Sequence, residues 1–462
     1  MQATATAIAA PSDAAPTHSL AFRKRRVANW FPLGCTYARL YMGRYNFNVS
    51  KGAIGASFHY DKAQMGIIAT AGFWTYALSV LINGPLADRF GGRRAILLGT
   101  GGACVLNLVI GLLFASGWSA HLIASLSVLY GINMYFQSFG ALSVVKVNAA
   151  WFHVRERGML GGVFGGMISL GYWLAYGACG WILERAPIWA VYVAPSAVIF
   201  TAFVVDSLLV RNRPSDAGYQ DFLTGDEGGD QDEPAKAAPK AGYRESAMTT
   251  PETTEPGFFD VVKRVFKHPV IRWLAVAEFC TGIVRQGLML YFPEYLMEVH
   301  KVKPGTPLFQ MASIGITVGG IAGALLCGVL SDYVFSSRRP PVAFLFYMAQ
   351  LVFLFALGSA TTPFFAALLI GVNCTWIFGV HGMLSGTASA DFGGKKAAST
   401  ATGLLDGVQY LGSGLTGFGL GALLDRYHWG IWPFCLMPMS LAGGAIMVLL
   451  WNAKPGGKSA HG

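Results

Sequence analysis

The chain repeats one short polar stretch: Gly84-Pro-Leu-Ala-Asp88-Arg89-Phe-Gly-Gly-Arg93-Arg94 and, 244 residues later, Gly328-Val-Leu-Ser-Asp332-Tyr-Val-Phe-Ser-Ser-Arg338-Arg339. In both copies an aspartate follows the glycine by four positions and precedes a pair of arginines. A second feature repeats at nearly the same distance, because Arg44 and Arg285 are 241 residues apart. Near-equal offsets of two unrelated features indicate that the chain contains two copies of one unit.

The composition around these stretches is that of a membrane protein. Of the 462 residues, 53% are hydrophobic and only 13% are charged, whereas a soluble domain has about 25% charged residues. This charge deficit excludes an ordinary cytosolic enzyme, a disordered protein and a nucleic-acid binder. The seven cysteines and nine histidines form no metal-binding or catalytic spacing, so we expect no metal, no cofactor and no enzymatic activity.

A helix needs about 20 apolar residues to cross a bilayer. Runs of this kind occur at 27–48, 64–86, 95–116, 122–148, 158–182, 187–210, 272–296, 308–331, 342–359, 364–389, 398–424 and 429–451. We therefore predict an all-α membrane protein with twelve transmembrane helices in two pseudo-symmetric six-helix bundles.

The predicted domains follow from these runs. They are an N-terminal tail (1–26), a first bundle (27–210), a polar linker (211–270), a second bundle (271–451) and a C-terminal tail (452–462). The linker has few residues that could form a core, so we expect it to be flexible.

Basic residues set the predicted orientation. With both termini and the even-numbered connections on one side, that side has 24 Lys and Arg residues and the other has 6. The positive-inside rule then places both termini in the cytoplasm. Most of the net charge of +10 thus comes from basic residues that set the orientation of the helices in the membrane.

Arg44 and Arg285 lie inside predicted spans, where a charge costs about 2.5–3.5 kcal/mol or more. They occupy equivalent places in helices 1 and 7, so a two-fold arrangement would bring them together across a central cavity. Tyr37 and Tyr41 share the face of Arg44. Two guanidiniums in one cavity suit an anion. The alternative is that each arginine pairs with a buried carboxylate, such as Glu278 for Arg285.

The first repeated stretch resembles the signature loop of the major facilitator superfamily, and the duplication, linker and twelve spans fit that superfamily along the whole chain. Such a loop can form a charge latch on the cytoplasmic face. The predicted gating residues are Asp88, Arg89, Arg93, Asp332 and Arg338.

Several segments resemble the organophosphate:phosphate antiporters, which include glycerol-3-phosphate and hexose-phosphate transporters. The segments are Tyr37-Ala-Arg-Leu-Tyr41-Met-Gly-Arg44-Tyr-Asn46, Val284-Arg285-Gln-Gly287, Arg211-Asn-Arg-Pro and Lys395-Lys396 onward to Tyr410-Leu411-Gly412. The resemblance implies that Arg44 and Arg285 bind a phosphoryl group and that Tyr37, Tyr41 and Tyr410 line the site.

The chain also departs from that family. Val80 replaces a lysine of the glycerol-3-phosphate type, and Ile168-Ser169 replaces a His-Asn pair. Three other groups are candidate site residues: Lys146, which could instead extend to the cytoplasmic surface; Asp406, four residues before Tyr410; and His381, which could carry a proton or only pack.

The resemblance to the superfamily implies that helices 5 and 8 meet across the two bundles. Gly158 to Gly166 on helix 5 and Gly315, Gly319 and Gly323 on helix 8 allow close helix approach. We expect them to form a smooth surface on which the two bundles rock.

The sequence thus predicts a transporter that exchanges a phosphate ester for inorganic phosphate by alternating access. Proton-coupled transport of a carboxylate and a transporter-like membrane sensor are alternatives. The expected partners are a small anion and the bilayer of a bacterial inner membrane, with no nucleic acid; the protein is expected to be monomeric.

Overall fold

A computed structural model describes residues 18–153, 156–224, 269–336, 338–388 and 398–453. Within these ranges the chain is almost entirely helical and contains no β-strand. The helices form twelve segments, each of which corresponds to one predicted span. The predicted all-α fold is therefore confirmed.

The first six segments form the N-terminal bundle: α1 (Leu20–Phe58), α2 (Lys62–Phe90), α3 (Gly92–Ala115), α4 (Leu122–Trp151), α5 (157–185) and α6 (Ala190–Leu209). Two of them are interrupted. Segment α4 consists of Leu122–Gln137 and Phe139–Trp151, and α5 passes through a π-helical turn at Leu174–Ala178.

The last six form the C-terminal bundle: α7 (Pro269–Glu298), α8 (Pro307–Val334), α9 (Arg339–Gly358), α10 (363–388), α11 (398–427) and α12 (Trp432–Leu449). Segments α8, α10 and α11 contain π-helical turns at Leu330–Val334, Gly382–Ala388 and Thr416–Leu420. Such turns are often found at functional sites.

Nine of the described helices are long and apolar enough to cross a membrane. The other three segments, α1, α7 and α11, are more polar, and they contain Arg44, Arg285 and Asp406. Polar residues inside a bundle lower the mean hydropathy of a span and are retained mainly where they have a function. The least apolar segments thus mark the centre of the molecule.

Among the described residues, most contacts between the bundles are made by three pairs of segments: α1 with α7, α2 with α11, and α5 with α8. The second and third pairs are related by the duplication, since α2 corresponds to α8 and α11 to α5. Between α2 and α11, Thr70 donates a hydrogen bond to the Gly414 carbonyl at 2.7 Å. Between α5 and α8, Thr317 donates to the Ser169 carbonyl at 3.0 Å.

The three predicted ladder glycines of α8 face α10, and it is the neighbouring Gly320 that lies against Ser169 on α5. A Cβ on Gly319 would lie 2.5 Å from the Gly371 carbonyl oxygen on α10, and Gly315 lies against Gly371 as well. The expectation that this glycine ladder forms a rocking surface between the bundles is therefore wrong. The ladder lets α8 and α10 approach closely within the C-terminal bundle, because α10 offers glycines at matching positions.

The first part of the predicted linker packs on the N-terminal bundle. Arg211 N–H donates to the Asn29 side chain at 2.7 Å, and the Tyr219 ring meets the Phe22 ring edge-on at 5.4 Å. Residues 225–268, most of the polar linker, lie outside the described residues, as do the tail residues 1–17 and 454–462 and the Lys395-Lys396 pair. The predicted domain boundaries stay predictions.

We predict that Gly319→Val destabilises the protein, because the new side chain would overlap the α10 backbone. Overpacking of this kind typically costs about 1–3 kcal/mol. Gly328→Val is the matched control on the same segment, because a Cβ there meets nothing within 4 Å. The melting temperature of the purified protein in detergent should fall for Gly319→Val only. Equal melting temperatures for the two variants would contradict this packing.

Candidate anion-binding site

Arg44 lies in the middle of α1 and is completely buried. Its Nη1 donates to the Tyr410 hydroxyl at 3.4 Å, and its Nη2 donates to the Gln137 carbonyl oxygen at 3.2 Å. Its Nε, also buried, has no hydrogen-bond partner. The guanidinium is thus held by neutral acceptors and retains an unused donor.

Tyrosine rings surround this guanidinium. The distances from its carbon to the ring centroids are 4.7 Å for Tyr41, 4.8 Å for Tyr76, 5.9 Å for Tyr37 and 6.0 Å for Tyr45. A ring face attracts a cation with about 0.5–2 kcal/mol. These contacts stabilise a buried positive charge without neutralising it.

Arg285 lies in the middle of α7 and is 3% exposed. Its Nη2 donates to the Gln409 side-chain oxygen at 2.8 Å, and its guanidinium carbon is 5.4 Å from the centroid of the Tyr410 ring. Its Nε has no hydrogen-bond partner either. Both arginines therefore contact Tyr410, as the duplication predicts for equivalent residues of two bundles.

Neither arginine is paired with an acid. Among the described residues, no carboxylate oxygen lies within 4.0 Å of either guanidinium. The structure thus does not show the alternative ion pair between Glu278 and Arg285. Because arginine stays charged even when it is dehydrated, the centre of the protein has two positive charges with no direct counter-charge.

A hydrogen-bonded chain joins the bundles at this level. The Tyr45 and Tyr410 hydroxyls are 3.3 Å apart, and Gln286 donates to the Tyr45 hydroxyl at 3.1 Å. Tyr172 on α5 stacks on Tyr45 with a centroid distance of 5.6 Å. The site is thus built by α1, α2, α4 and α5 from one bundle and by α7 and α11 from the other.

Acidic groups lie on the C-terminal side of the site. His381 Nδ1 is 3.4 Å from a Glu278 carboxylate oxygen and 3.4 Å from the Gln409 side-chain nitrogen, and His381 Nε2 is 3.8 Å from Asp406. Gln409 therefore connects Arg285 to His381. Of the predicted candidates, Asp406 and His381 lie together next to Arg285.

Lys146 occupies a different place. Its ammonium forms an ion pair with Asp88 at the end of α2, and it does not contact either arginine. Three of the predicted latch residues make the following contacts, and their gating role stays a prediction. Arg93 donates to the Ser207 carbonyl at 2.7 Å, and Asp332 pairs with Arg339 at 3.2 Å. Arg338 donates to the Phe335 carbonyl.

A cavity of about 1110 Å³ leads towards the site from the predicted cytoplasmic face. Its mouth includes Asp88, Arg89 and Lys146, and its lining extends to Tyr76 and Asp406. Tyr76 stacks on Tyr410 with a centroid distance of 4.1 Å. A single tyrosine ring, that of Tyr76, therefore separates the arginines from the cavity that opens on this face.

The opposite face is closed. Lys51 on α1 forms an ion pair with Glu294 on α7 at 2.8 Å, and both side chains are buried. Further out, the Asp425 carboxylate accepts from the first backbone N–H groups of α2 at 2.8 and 3.1 Å. Lys62 pairs with Glu298 at 2.9 Å. These contacts all connect the N-terminal and C-terminal bundles.

Sequence reasoning missed several site residues: Tyr45, Tyr76, Tyr172, Gln286 and Gln409. These residues lie on α1, α2, α5, α7 and α11. Tyr45 and Gln286 follow the two arginines directly in sequence, which was a usable signal. Tyr76 and Tyr172 had no such signal, because their positions depend on how the bundles pack.

Residues 33–417 match the family model described as Major Facilitator Superfamily. The chain belongs to the Major Facilitator Superfamily. Its predicted nature as an integral membrane transporter, rather than an enzyme, is thereby confirmed.

Curated relatives share most of the chain's length at modest identity. The glycerol-3-phosphate transporter of Bacillus subtilis is 25% identical over 455 residues, covering 94% of both chains. The membrane sensor protein UhpC of Escherichia coli is 27% identical and covers 90% of this chain and 89% of its own. A probable hexose phosphate transport protein of Chlamydia trachomatis is 24% identical, with 93% and 91% covered. The predicted resemblance to organophosphate:phosphate antiporters is confirmed.

One solved structure supports the fold. A bacterial homologue of the human lysosomal transporter Spinster, in an inward-facing and unoccupied conformation, superposes with a TM-score of 0.59. It covers 94% of this chain and 96% of its own, at 17% identity. The arrangement of the twelve helices is therefore that of this superfamily.

We predict that Lys51→Met lowers the stability of the protein because it leaves the buried Glu294 without a partner. Removing one partner of a buried ion pair costs about 3–5 kcal/mol, whereas replacing both with apolar residues is often neutral. The double variant Lys51→Met/Glu294→Met should therefore melt at a higher temperature than Lys51→Met. A double variant that melts no higher than the worse single variant would contradict the pairing.

Proposed function

We propose that this protein transports a phosphate ester across the bacterial inner membrane in exchange for inorganic phosphate. The observation that supports this proposal is the pair of buried, acid-free guanidiniums of Arg44 and Arg285, one from each bundle, that both contact Tyr410.

The chemistry of guanidinium favours a phosphoryl group. Its planar fork of N–H donors matches two phosphate oxygens, and such charge-assisted hydrogen bonds are about twice as strong as neutral ones. The unused Nε donors of both arginines are available for this purpose. A doubly charged phosphate would balance the two positive charges that the protein leaves unpaired.

The same charges favour exchange. In the present conformation a cavity on the predicted cytoplasmic face extends to Tyr76 and Asp406 next to the site, and ion pairs connect the bundles on the opposite face. During a change of access both faces are closed, and two guanidiniums that no carboxylate contacts directly would then repel each other in a medium of low dielectric constant. A bound anion removes this penalty. The empty protein therefore changes access slowly, and each anion that leaves is replaced by another.

The named relatives support the class of substrate. A glycerol-3-phosphate transporter and a probable hexose phosphate transport protein each align along more than nine-tenths of this chain. We propose the same orientation that the basic residues predict, with both termini in the cytoplasm.

Similarity to UhpC, a membrane sensor protein, favours a second candidate function. A sensor would use the same arginines to bind a phosphorylated ligand but would carry no flux. Measuring binding and flux on the same preparation separates the two functions.

We predict that purified protein in liposomes exchanges external radiolabelled phosphate for internal phosphate. Arg44→Lys and Arg285→Lys should each reduce exchange about tenfold or more, because lysine keeps the charge but loses the fork, at a cost of about 1.5–3 kcal/mol. The matched control is Arg39→Lys, since Arg39 is a half-buried arginine on the same helix that should not contact the anion.

Three outcomes would contradict the proposal. Absence of exchange together with phosphate binding would favour the sensor. Uptake driven by a pH gradient into liposomes without internal phosphate would favour proton coupling. Unimpaired exchange in both site variants would remove the arginines from the mechanism.

A further inference from the structure

The acidic groups beside Arg285 have no role in binding a phosphoryl group. Glu278 is completely buried, and its Oε1 has no hydrogen-bond partner. Asp406 lines the cavity, and its Oδ1 is also buried without a hydrogen-bond partner. Two buried acceptors that contact neither arginine require another explanation, since a buried, unsatisfied charge is costly.

The formal charges of the site are balanced in number but separated in space. Two guanidiniums contact tyrosines, a glutamine and a backbone carbonyl. The two carboxylates lie around His381 instead, at 3.4 and 3.8 Å. Gln409 stands between these groups, because it accepts from Arg285 and its nitrogen lies 3.4 Å from His381. The site thus has a positive end and a negative end.

A substrate that is only an anion would use the positive end alone. A substrate with an anionic group and a cationic group a short distance apart would satisfy both ends. An ammonium group has three donors and no acceptor, and therefore suits the free carboxylate oxygens of Asp406 and Glu278. Asp406 is the more accessible of the two because it lines the cavity.

We propose that the substrate is a short-chain phosphate ester or phosphonate that also has an ammonium group, with Asp406 as the residue that selects it. This inference rests on the proposed function, since it assigns the phosphoryl group to Arg44 and Arg285. It adds the ammonium group as the feature that separates the substrate from glycerol phosphates and hexose phosphates. Glu278 and His381 position the Asp406 carboxylate and complete the negative end.

The test is competition against radiolabelled phosphate exchange in liposomes. The competitors are 2-aminoethyl phosphate and propyl phosphate, which differ only in that a methyl group replaces the ammonium group. A charge-assisted hydrogen bond contributes about 1.5–3 kcal/mol, so 2-aminoethyl phosphate should compete about tenfold better or more. Asp406→Asn should reduce this preference to about threefold or less.

Asp88→Asn is the matched control, because it makes the same change in a carboxylate at the mouth of the same cavity. It should keep the preference of the wild-type protein. Asp406→Glu retains the carboxylate and should keep most of the preference, which guards against a variant that merely folds poorly.

The results distinguish the two proposals. Exchange that depends on the arginines but shows equal competition by both esters would overturn the ammonium inference alone. A preference that survives in Asp406→Asn would also overturn it, as would a change only in the pH dependence of exchange, which would make Asp406 a proton carrier. Failure of every phosphate compound to bind or exchange would overturn the proposed function, and this inference with it.

Discussion

Two buried positive charges without an acidic partner impose the strongest constraint on this structure. Moving a charge from water into a low-dielectric interior is costly, and the protein meets the cost for Arg44 and Arg285 with tyrosine faces and neutral oxygen acceptors. The arginines and many of their polar neighbours lie on α1, α7 and α11, which are the most polar segments of the membrane domain. The tyrosine faces and neutral acceptors stabilise the guanidiniums but leave each with an unused donor. We propose that a bound anion completes this site.

The contacts between the bundles are arranged around that site. Tyr410 contacts both arginines at the centre, the buried Lys51–Glu294 pair closes one face, and a cavity opens on the other. Close glycine packing occurs within the C-terminal bundle, where α8 meets α10, and also between the bundles, where Gly66 on α2 lies against Gly417 on α11. The described connections between the bundles thus combine hydrogen bonds, ion pairs and this close glycine contact.

Much of this could be predicted from sequence, because charge and periodicity are local properties. The apolar runs give the twelve segments, and the equal offsets bring Arg44 and Arg285 to equivalent places. The partners of a side chain are not local. Lys146 pairs with Asp88, and Gly319 faces Gly371, because helix rotation and packing decide what each residue meets. Tyr76 and Tyr172 were missed for the same reason, whereas Tyr45 and Gln286 directly follow the two arginines in sequence.

The central claim is that one anion binds to both Arg44 and Arg285. It is tested most directly by crystallography of the full chain with bound tungstate, a tetrahedral oxyanion whose heavy atom gives an anomalous signal. The account predicts one strong peak within hydrogen-bonding distance of both guanidiniums, and its loss in Arg285→Ala. A peak that contacts one arginine only, or that persists unchanged in Arg285→Ala, would contradict the account.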